Sequence, residues 1–363
     1  MNSEILDNAA PTDTAKSPRR DIGFYRQALI KDIDPETLKP RPIRLVWYMG
    51  FFAVAAMAVT AGLTLSLAWP FKIILGLIIG TCTGAMGFAT HEILHGSVVK
   101  NKTLQNILGF FGFGAFFISP TFWRFWHNRL HHGKTQKLIH DPDAFPTMKL
   151  FKHSKFMQAM FPFTPGSGHK RSATYMLFWF SFHVFVAQSY LRFRNSIFEG
   201  MDQKQVTIEF VAQLLIVGGL LVLAGPSTWW WLVAIPFVAQ NYFAMSYIAT
   251  NHNLSPLTSV NDPLLNTLTV TNHPLLERLH LNFGYHVEHH IFPTMSGAYT
   301  KEVHRLLKEK FPEDLQVMPK AKAMKLLYLS SRIYKNSTEL IHPHNQTVTQ
   351  TLGSKKVTLS QTF

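Results

Sequence analysis

The sequence has 363 residues but only one cysteine, Cys82, and few charged side chains. A single cysteine excludes a disulfide framework and a metal site built from thiolates. Charged residues make up 15% of the chain and apolar residues 47%, whereas soluble domains carry roughly 25% charged residues. This shortage of charge indicates a protein that resides in a lipid bilayer.

Residues 1–44 lack an apolar run long enough for a secretory signal, and they mix charges of both signs. We interpret them as a polar, cytosolic N-terminal arm. Over the whole chain, 35 Lys and Arg against 21 Asp and Glu give a net charge of +14. In a chain this apolar, the positive charge fits an anionic bilayer surface better than a nucleic acid, so no nucleic-acid partner is expected.

Several apolar runs predict the membrane topology, because a helix needs about 20 residues to cross a bilayer. Residues 104–119 are short and contain three glycines, which indicates a re-entrant or interfacial segment. Residues 173–191 have basic residues on both flanks, and since Lys and Arg collect in short cytoplasmic loops, this run is predicted to lie in the membrane plane. The runs predicted to cross are residues 45–69, 71–90, 208–224 and 228–249.

The resulting prediction is an all-α integral membrane protein. Its four transmembrane helices would form two hairpins, accompanied by interfacial helices and a cytosolic, histidine-rich, metal-binding cap. The membrane domain is expected over residues 45–310. Residues 311–363 would form a cytosolic C-terminal segment, whose Ser-, Thr- and Gln-rich tail is predicted to be disordered from about residue 337.

Histidine is the one abundant ionisable residue that needs an explanation, with 18 in the chain. Eight of these fall in three short clusters, with histidines about one helical turn apart, so that their imidazoles can share a metal. One such cluster alone could be packed or surface histidines, but three favour a common site. The clusters are His91-Glu-Ile-Leu-His95, His127-Asn-Arg-Leu-His131-His132 and His286-Val-Glu-His289-His290.

Eight imidazoles exceed the four ligands of a structural zinc site, which indicates two metals. The adjacent His131 and His132 support this, because neighbours on a helix point about 100° apart. Imidazole ligands suit iron, zinc, copper or nickel. If the two metals are iron, their position beside a lipid-facing bundle indicates O2 activation. A haem is disfavoured, since its axial histidines would lie inside the spans, and only His183 lies within a long apolar run.

The order of these clusters, with the third set in the sequence NFGYHVEHHIFP at 282–293, resembles the membrane-bound fatty acid desaturases and related hydroxylases over about residues 45–310. The resemblance implies a non-haem di-iron centre on the cytosolic face. It further implies O2-dependent desaturation of a long-chain acyl group, carried as an acyl lipid or acyl-CoA. The three-residue spacing of the first cluster is commoner among the acyl-lipid enzymes.

In that family, a residue just after the last span completes the centre. The matching segment here is Asn251-His252-Asn253, so this role is assigned to His252; the alternative is that the asparagines simply cap the helix end. Other histidines, including His273 and His280, receive no role. The resemblance thus implies nine iron ligands, namely His91, His95, His127, His131, His132, His252, His286, His289 and His290.

The sequence departs from some branches of the family. The third cluster begins with His286 where front-end desaturases have Gln, and the chain contains no HPGG motif of a fused cytochrome b5 domain. Electrons are therefore expected from a separate protein, such as a ferredoxin or a cytochrome b5-type protein. A bacterial inner membrane is the expected location, rather than the endoplasmic reticulum, since we find no dilysine-type signal.

Acidic and amide side chains near the clusters are candidates to orient the imidazoles through their second ring nitrogen. For the two Asp residues, a turn with helix caps is an equal alternative. An apolar tunnel for the acyl chain is expected along the aromatic-rich stretches 110–117 and 229–242. The candidate orienting residues are Glu92, Glu288, Asp141, Asp143 and Asn251.

Two other functions stay open from the sequence. A hydroxylase or ketolase acting on a lipid, an alkane or a carotenoid would use the same di-iron scaffold. A histidine-rich metal transporter is the more remote alternative, because it would need polar residues in the middle of several spans, and the predicted spans are nearly free of them.

Overall fold

The structure is a computed structural model that describes residues 20–354. In this part of the chain most residues are helical, and Arg124–His131 and Trp230–Ala234 form π-helices. The α-helices are α1 (Ile22–Leu29), α2 (Leu45–Thr64), α3 (Trp69–His95), α4 (Lys102–Gly112), α5 (Pro120–Trp123), α6 (His132–Lys134), α7 (Met148–His153), α8 (Lys155–Met160), α9 (Tyr175–Ser189), α10 (Gln203–Ala224), α11 (Ile235–His252), α12 (Pro263–Asn266), α13 (Pro274–Leu279), α14 (His286–Ile291), α15 (Thr300–Lys310) and α16 (Lys320–Leu329).

Among the described residues, four helical segments are long and apolar enough to cross a membrane. They overlap the four predicted spans, so their number is confirmed. The second and fourth run further than predicted and carry histidines on their last turns. α3 is the central helix and packs against α2, α4 and α11. The four segments are Pro42–Thr64, Trp69–His95, Gln203–Ala224 and Trp230–His252.

The run at 173–191 folds into α9, which packs against α11. With 15 residues, α9 is shorter than the span-length helices. α11 packs chiefly against α3 and α9, whereas α10 packs against α5. The arrangement of the spans as two hairpins, and the position of α9 in the membrane plane, stay predictions.

The predicted re-entrant segment is α4 followed by an irregular stretch. We call residues 110–119, which comprise the last residues of α4 and this stretch, the 110–119 loop. Buried backbone carbonyls outside regular secondary structure need partners elsewhere in the protein. Three glutamines from three helices supply them: Gln213 donates to Phe110 O and Ile118 O, while Gln240 and Gln188 donate to the carbonyls of Ala115 and Phe117. The loop is thus held between α9, α10 and α11.

Within residues 20–354, four short strands correct the all-α prediction. β1 (Thr269–Thr271) and β2 (Val317–Pro319) pair in parallel, and β3 (Glu339–Ile341) and β4 (Val348–Gln350) form an antiparallel hairpin. Each strand has three residues, too few to give an alternating pattern in the sequence.

The hairpin of β3 and β4 also shows that the prediction of a disordered tail from about residue 337 is wrong as far as residue 354. Leu340 is buried and packs with Leu257 and Tyr334, and Leu257 N–H donates to Ser337 O. Long-range contacts therefore order a segment whose composition is polar. Residues 355–363 of the predicted tail, and residues 1–19 of the predicted arm, lie outside the described residues.

The described part of the N-terminal arm packs onto the helices that follow the last span. Tyr25 and Leu29 of α1 share an apolar cluster with Val287 and Ile291 of α14, and Arg26 Nε donates to Ile291 O at 2.6 Å. The third histidine cluster is therefore held in place by a segment far away in sequence.

The 110–119 loop yields a first testable prediction. Gln213→Leu leaves the carbonyls of Phe110 and Ile118 without their donor, and we expect the free energy of unfolding to fall by about 1–3 kcal/mol. Thermal unfolding of the detergent-purified protein measures the change. Val211→Leu, at a lipid-facing position of the same helix, is the control and should leave the melting temperature unchanged. Equal melting temperatures for the two variants would contradict the assigned role of Gln213.

Candidate metal centre

The histidine clusters lie on short helical segments at one end of the bundle. His91 and His95 occupy the last turn of α3 and share one face. The second cluster lies on the π-helix Arg124–His131 and the residue after it; π-helical turns are rare and are found frequently at functional sites. The third cluster forms α14, and His252 is the last residue of α11.

Five histidines form what we call the first histidine group, in which one nitrogen of each ring lies within 4.8 Å of the others. The Nε2 atom of His127 lies 2.9 Å from that of His91 and 3.0 Å from that of His132. The Nε2 atom of His289 lies 3.1 Å from that of His132. The members of the group are His91, His95, His127, His132 and His289.

The second histidine group has four members, again with one nitrogen of each within 4.8 Å of the others. His286 Nε2 lies 2.8 Å from His252 Nε2. Adjacent residues are divided between the groups, as the angle between helical neighbours predicts. The structure thus brings together all nine histidines singled out in the sequence. The members of the second group are His131, His252, His286 and His290.

Burial keeps most of these imidazoles neutral. For His127, His132, His286 and His290, burial and then the neighbouring imidazoles hold the pKa well below its usual range. Burial also lowers the pKa of His289 to about 3. A neutral imidazole keeps one nitrogen lone pair available for a metal at physiological pH.

The donor set fits metal binding better than hydrogen bonding within the groups. Among residues 20–354, Nε2 of His95 and Nε2 of His290 are buried without a hydrogen-bond partner, which costs about 1–3 kcal/mol per atom. The Nε2–Nε2 separations of 2.8 to 3.1 Å bring further ring nitrogens close enough to share one ion. The residues present therefore fit two metal ions.

Two carboxylates contact His131, where the sequence predicts orienting groups. His131 Nδ1 lies 3.1 Å from Asp141 Oδ1 and 3.2 Å from Asp143 Oδ2. Burial disfavours a charge on His131, but the two carboxylates outweigh it and raise the pKa of this imidazole. A proton held on Nδ1 leaves Nε2 to face the second histidine group.

The two glutamates within the clusters do not contact the histidine groups, so their predicted role as orienting residues is wrong. Glu92 forms an ion pair with Arg44, because it lies one residue, about 100°, from the ligand face of α3. Glu288 accepts from Thr269 Oγ1 at 2.6 Å and pairs with His304. Both glutamates therefore fasten ligand-bearing helices to other segments.

The remaining sequence candidates also lie apart from the imidazoles. In the described part of the chain, the amide of Asn251 is buried and forms no hydrogen bond, so it neither orients an imidazole nor caps the helix. His280 contacts the Tyr247 hydroxyl at 2.5 Å. His273 precedes α13, and its Nδ1 accepts a hydrogen bond from Leu275 N–H in the first turn of that helix. Neither belongs to a histidine group.

Several residues that support the groups carry no signal in the sequence. Gln136 Nε2 donates to His252 O at 2.7 Å, Thr135 Oγ1 lies 3.3 Å from His290 Nδ1, and Arg332 donates to Asn253 O. These contacts join residues that lie 79 to 155 positions apart. Local spacing could not have revealed them.

A cavity of about 780 Å³ reaches both histidine groups. His91 and His127 of the first group line it, as do His131, His252 and His286 of the second. Most of the remaining wall is apolar and aromatic. The cavity has the size and the mostly apolar lining that are typical of ligand-binding sites.

The walls of the cavity differ in part from the predicted ones. Phe113 and Phe116 of the 110–119 loop line it, as predicted, but residues 229–242 do not. α9 takes their place and contributes Trp179, Phe180 and His183. The aromatic residues of 229–242 lie further from the histidine-bearing end, and several face the lipid: Trp229, Trp230, Phe237 and Tyr242 are exposed.

Comparison with known proteins agrees with this geometry. The sequence profile of fatty acid desaturases matches residues 67–321, which is more than half of the chain. A chloroplastic omega-6 fatty acid desaturase of Arabidopsis thaliana is 25% identical over 292 residues, covering 77% of this chain and 60% of the relative. A Delta(6)-fatty-acid desaturase of Caenorhabditis elegans is 26% identical, with 72% of this chain and 59% of the relative covered.

A third relative, the sn-1 acyl-lipid omega-3 desaturase (ferredoxin) of Synechocystis, is 27% identical over 150 residues, which are 39% of each chain. The chain thus spans less than two thirds of the length of these relatives.

The buried imidazoles generate a prediction about pH. His289 has its pKa lowered from the ordinary 6.5 to about 3 in the folded protein. As the pH falls, the imidazole of His289 therefore becomes protonated in the unfolded chain before it does so in the folded protein. The free energy of unfolding then decreases between pH 6.5 and pH 3, by up to about 1.4 kcal/mol per pH unit for each such group. We expect the metal-stripped protein to melt at a lower temperature at pH 5 than at pH 7.5.

Melting curves in detergent and chelator measure this dependence. His289→Gln should flatten it, whereas His153→Gln, at an exposed position outside both groups, should leave it unchanged. A melting temperature that is the same at both pH values would contradict the burial of neutral imidazoles.

Proposed function

The chain belongs to the fatty acid desaturase family, and on this basis we propose that it is a membrane oxidoreductase that introduces a double bond into a long-chain fatty acyl group. The observation that carries the proposal is the convergence of nine histidines, in two groups, on an apolar cavity of about 780 Å³. The net reaction removes two hydrogen atoms from adjacent methylene carbons. With two electrons and two protons from a donor, O2 is reduced to two molecules of water.

The first and second histidine groups would each hold one iron ion. When bound, the irons supply O2 activation and the power to remove hydrogen from an unactivated methylene group. The chain itself holds neutral imidazoles in place. Asp141 and Asp143 keep a proton on His131 Nδ1, so that its Nε2 serves as the ligand atom.

The cavity would bind the acyl chain and exclude water from the reacting carbons. The 110–119 loop and α9 form aromatic walls, and the glutamines that hold the loop fix the shape of one wall. Acyl lipid is the proposed substrate form, ahead of acyl-CoA. It is supported by the name of the Synechocystis relative, an acyl-lipid desaturase.

The four span-length helices would cross the bilayer as two hairpins, with the histidine groups on the cytosolic face. Basic residues concentrated between α3 and α9, near those groups, support this orientation. They could also dock an acidic ferredoxin or a cytochrome b5-type protein, and the Synechocystis relative is named for ferredoxin. The location in a bacterial inner membrane rests on the sequence alone.

The proposed division places a membrane domain at 45–310 between an arm at 1–44 and a segment at 311–363, and the profile match at 67–321 covers most of this domain. Described parts of both flanks pack onto the domain and contact ligand-bearing helices. These described parts, residues 20–44 and 311–354, would therefore be extensions of one catalytic unit.

Expression in a host of known lipid composition, followed by mass spectrometry of total fatty acids, tests the function. We expect new double bonds in the acyl chains and two irons per purified chain. His289→Ala should lower product formation at least about 100-fold and reduce bound iron, whereas the exposed His153→Ala should change neither. Hydroxy or keto products without new alkenes would instead identify the hydroxylase or ketolase alternative.

The walls of the cavity predict its chain-length preference. Phe116→Ala removes a ring from the wall, and we expect products at least twofold enriched in longer acyl chains, because the deletion lengthens or widens the cavity. Phe111→Ala is a matched control, since Phe111 lies on the same stretch but is exposed and does not line the cavity. The same fatty acid analysis reads out both variants, and equal chain-length profiles would refute this role of Phe116.

A further inference from the structure

The C-terminal end of α11 is held by side chains from distant segments. A helix ends with carbonyl groups that have no partner within the helix, and these must be bonded from outside. Gln136 Nε2 donates to His252 O at 2.7 Å, and Arg332 Nη1 donates to Asn253 O. His252, which lies on this last turn, contributes its imidazole to the second histidine group.

Arg332 is an unusual residue to find in this position. Its side chain is 1% exposed, and within residues 20–354 it has no carboxylate partner among the ion pairs. Besides Asn253 O, the one described residue to which its side chain donates is Ser330, with Nη2 3.0 Å from Ser330 O. Burying a charge without a counter-charge is costly unless something else compensates it.

The compensation comes from α11 itself. The unpaired carbonyls of a helix give its C-terminal end a partial negative charge, which attracts a cation. Burial lowers the pKa of Arg332 to about 10, so the guanidinium is still charged at neutral pH. The same interaction acts in both directions: the helix end stabilises the buried cation, and the cation holds the last turn of the helix in a fixed position.

The position of this contact links it to the histidine groups. Arg332, Asn253 and His252 all line the cavity that reaches the groups. Arg332 also lies beyond residue 321, the end of the segment that matches the desaturase profile. A contact from outside the matched segment therefore bears directly on a helix that carries one of the nine histidines.

We infer that Arg332 is a positioning residue of the second histidine group. By bonding Asn253 O, it keeps the last turn of α11 formed and holds His252 Nε2 2.8 Å from His286 Nε2. The first histidine group contains no residue of α11 and does not depend on this contact. The inference rests on the proposed function only in taking each group as a metal site.

Titration of the metal-stripped, full-length protein in detergent with Co²⁺, followed by its visible absorption, tests the inference without an activity assay. The wild-type protein should bind two Co²⁺ ions. Arg332→Met should lower the Co²⁺ affinity of the second group at least tenfold and leave that of the first group unchanged. His252→Ala, which removes a ligand of the second group, identifies which of the two binding steps belongs to that group. Arg332→Lys, which keeps a cation, should restore most of the loss. Arg305→Met removes an arginine that pairs with Glu309 on the surface and is the control.

The possible outcomes separate the inference from the proposed function. A wild-type protein that binds no Co²⁺, or only one ion, would refute the two-metal site itself. Wild-type affinity for both ions in Arg332→Met would overturn the positioning role. The positioning role would also be overturned if both variants, Arg332→Met and Arg332→Lys, lost Co²⁺ affinity equally at the two groups. Such a result indicates a general loss of structure. If Arg332→Met is not recovered from the membrane, selective weakening of the second group in Arg332→Lys supports the inference, and its absence overturns it.

Discussion

The convergence of nine imidazoles at one end of a membrane bundle is the constraint on which the rest of the structure depends. Each ring must be turned so that one nitrogen faces its group, and most of the rings are also buried and neutral. Burial, and then the neighbouring imidazoles, keep most of the rings neutral, as the lowered pKa of His289 illustrates. Burial does not fix the orientation of the rings, which needs contacts from outside the groups. His131 Nδ1, for example, donates a hydrogen bond to Asp141 and lies beside the Asp143 carboxylate.

The same requirement explains why so many buried ion pairs and helix caps surround the histidines. Arg44 pairs with Glu92 beside His91, His304 pairs with Glu288 on α14, and Arg332 holds the end of α11. In each case the contact lies next to a ligand-bearing turn, not on the imidazoles themselves. Charged side chains are scarce in this chain, and Glu92, Glu288 and Arg332 are buried ones that hold these turns against other segments.

A second constraint comes from the irregular backbone beside the cavity. Buried carbonyl groups outside regular secondary structure need partners, and Gln188, Gln213 and Gln240 provide them for the 110–119 loop. In a metal transporter, polar side chains on membrane helices would line the path of the ion. Here the three glutamines are structural, and the loop that they hold presents Phe113 and Phe116 to the cavity.

The sequence by itself determined what depends on local periodicity: the four span-length helices, the helical spacing of the histidines, and the division of adjacent histidines between two groups. Only the tertiary structure decided the partners of Glu92 and Glu288, the aromatic wall contributed by α9, and the ordered hairpin at 339–350. The reason is physical. A spacing of three or four residues fixes which side chains share a helix face, whereas contacts between residues tens to hundreds of positions apart depend on how the helices pack.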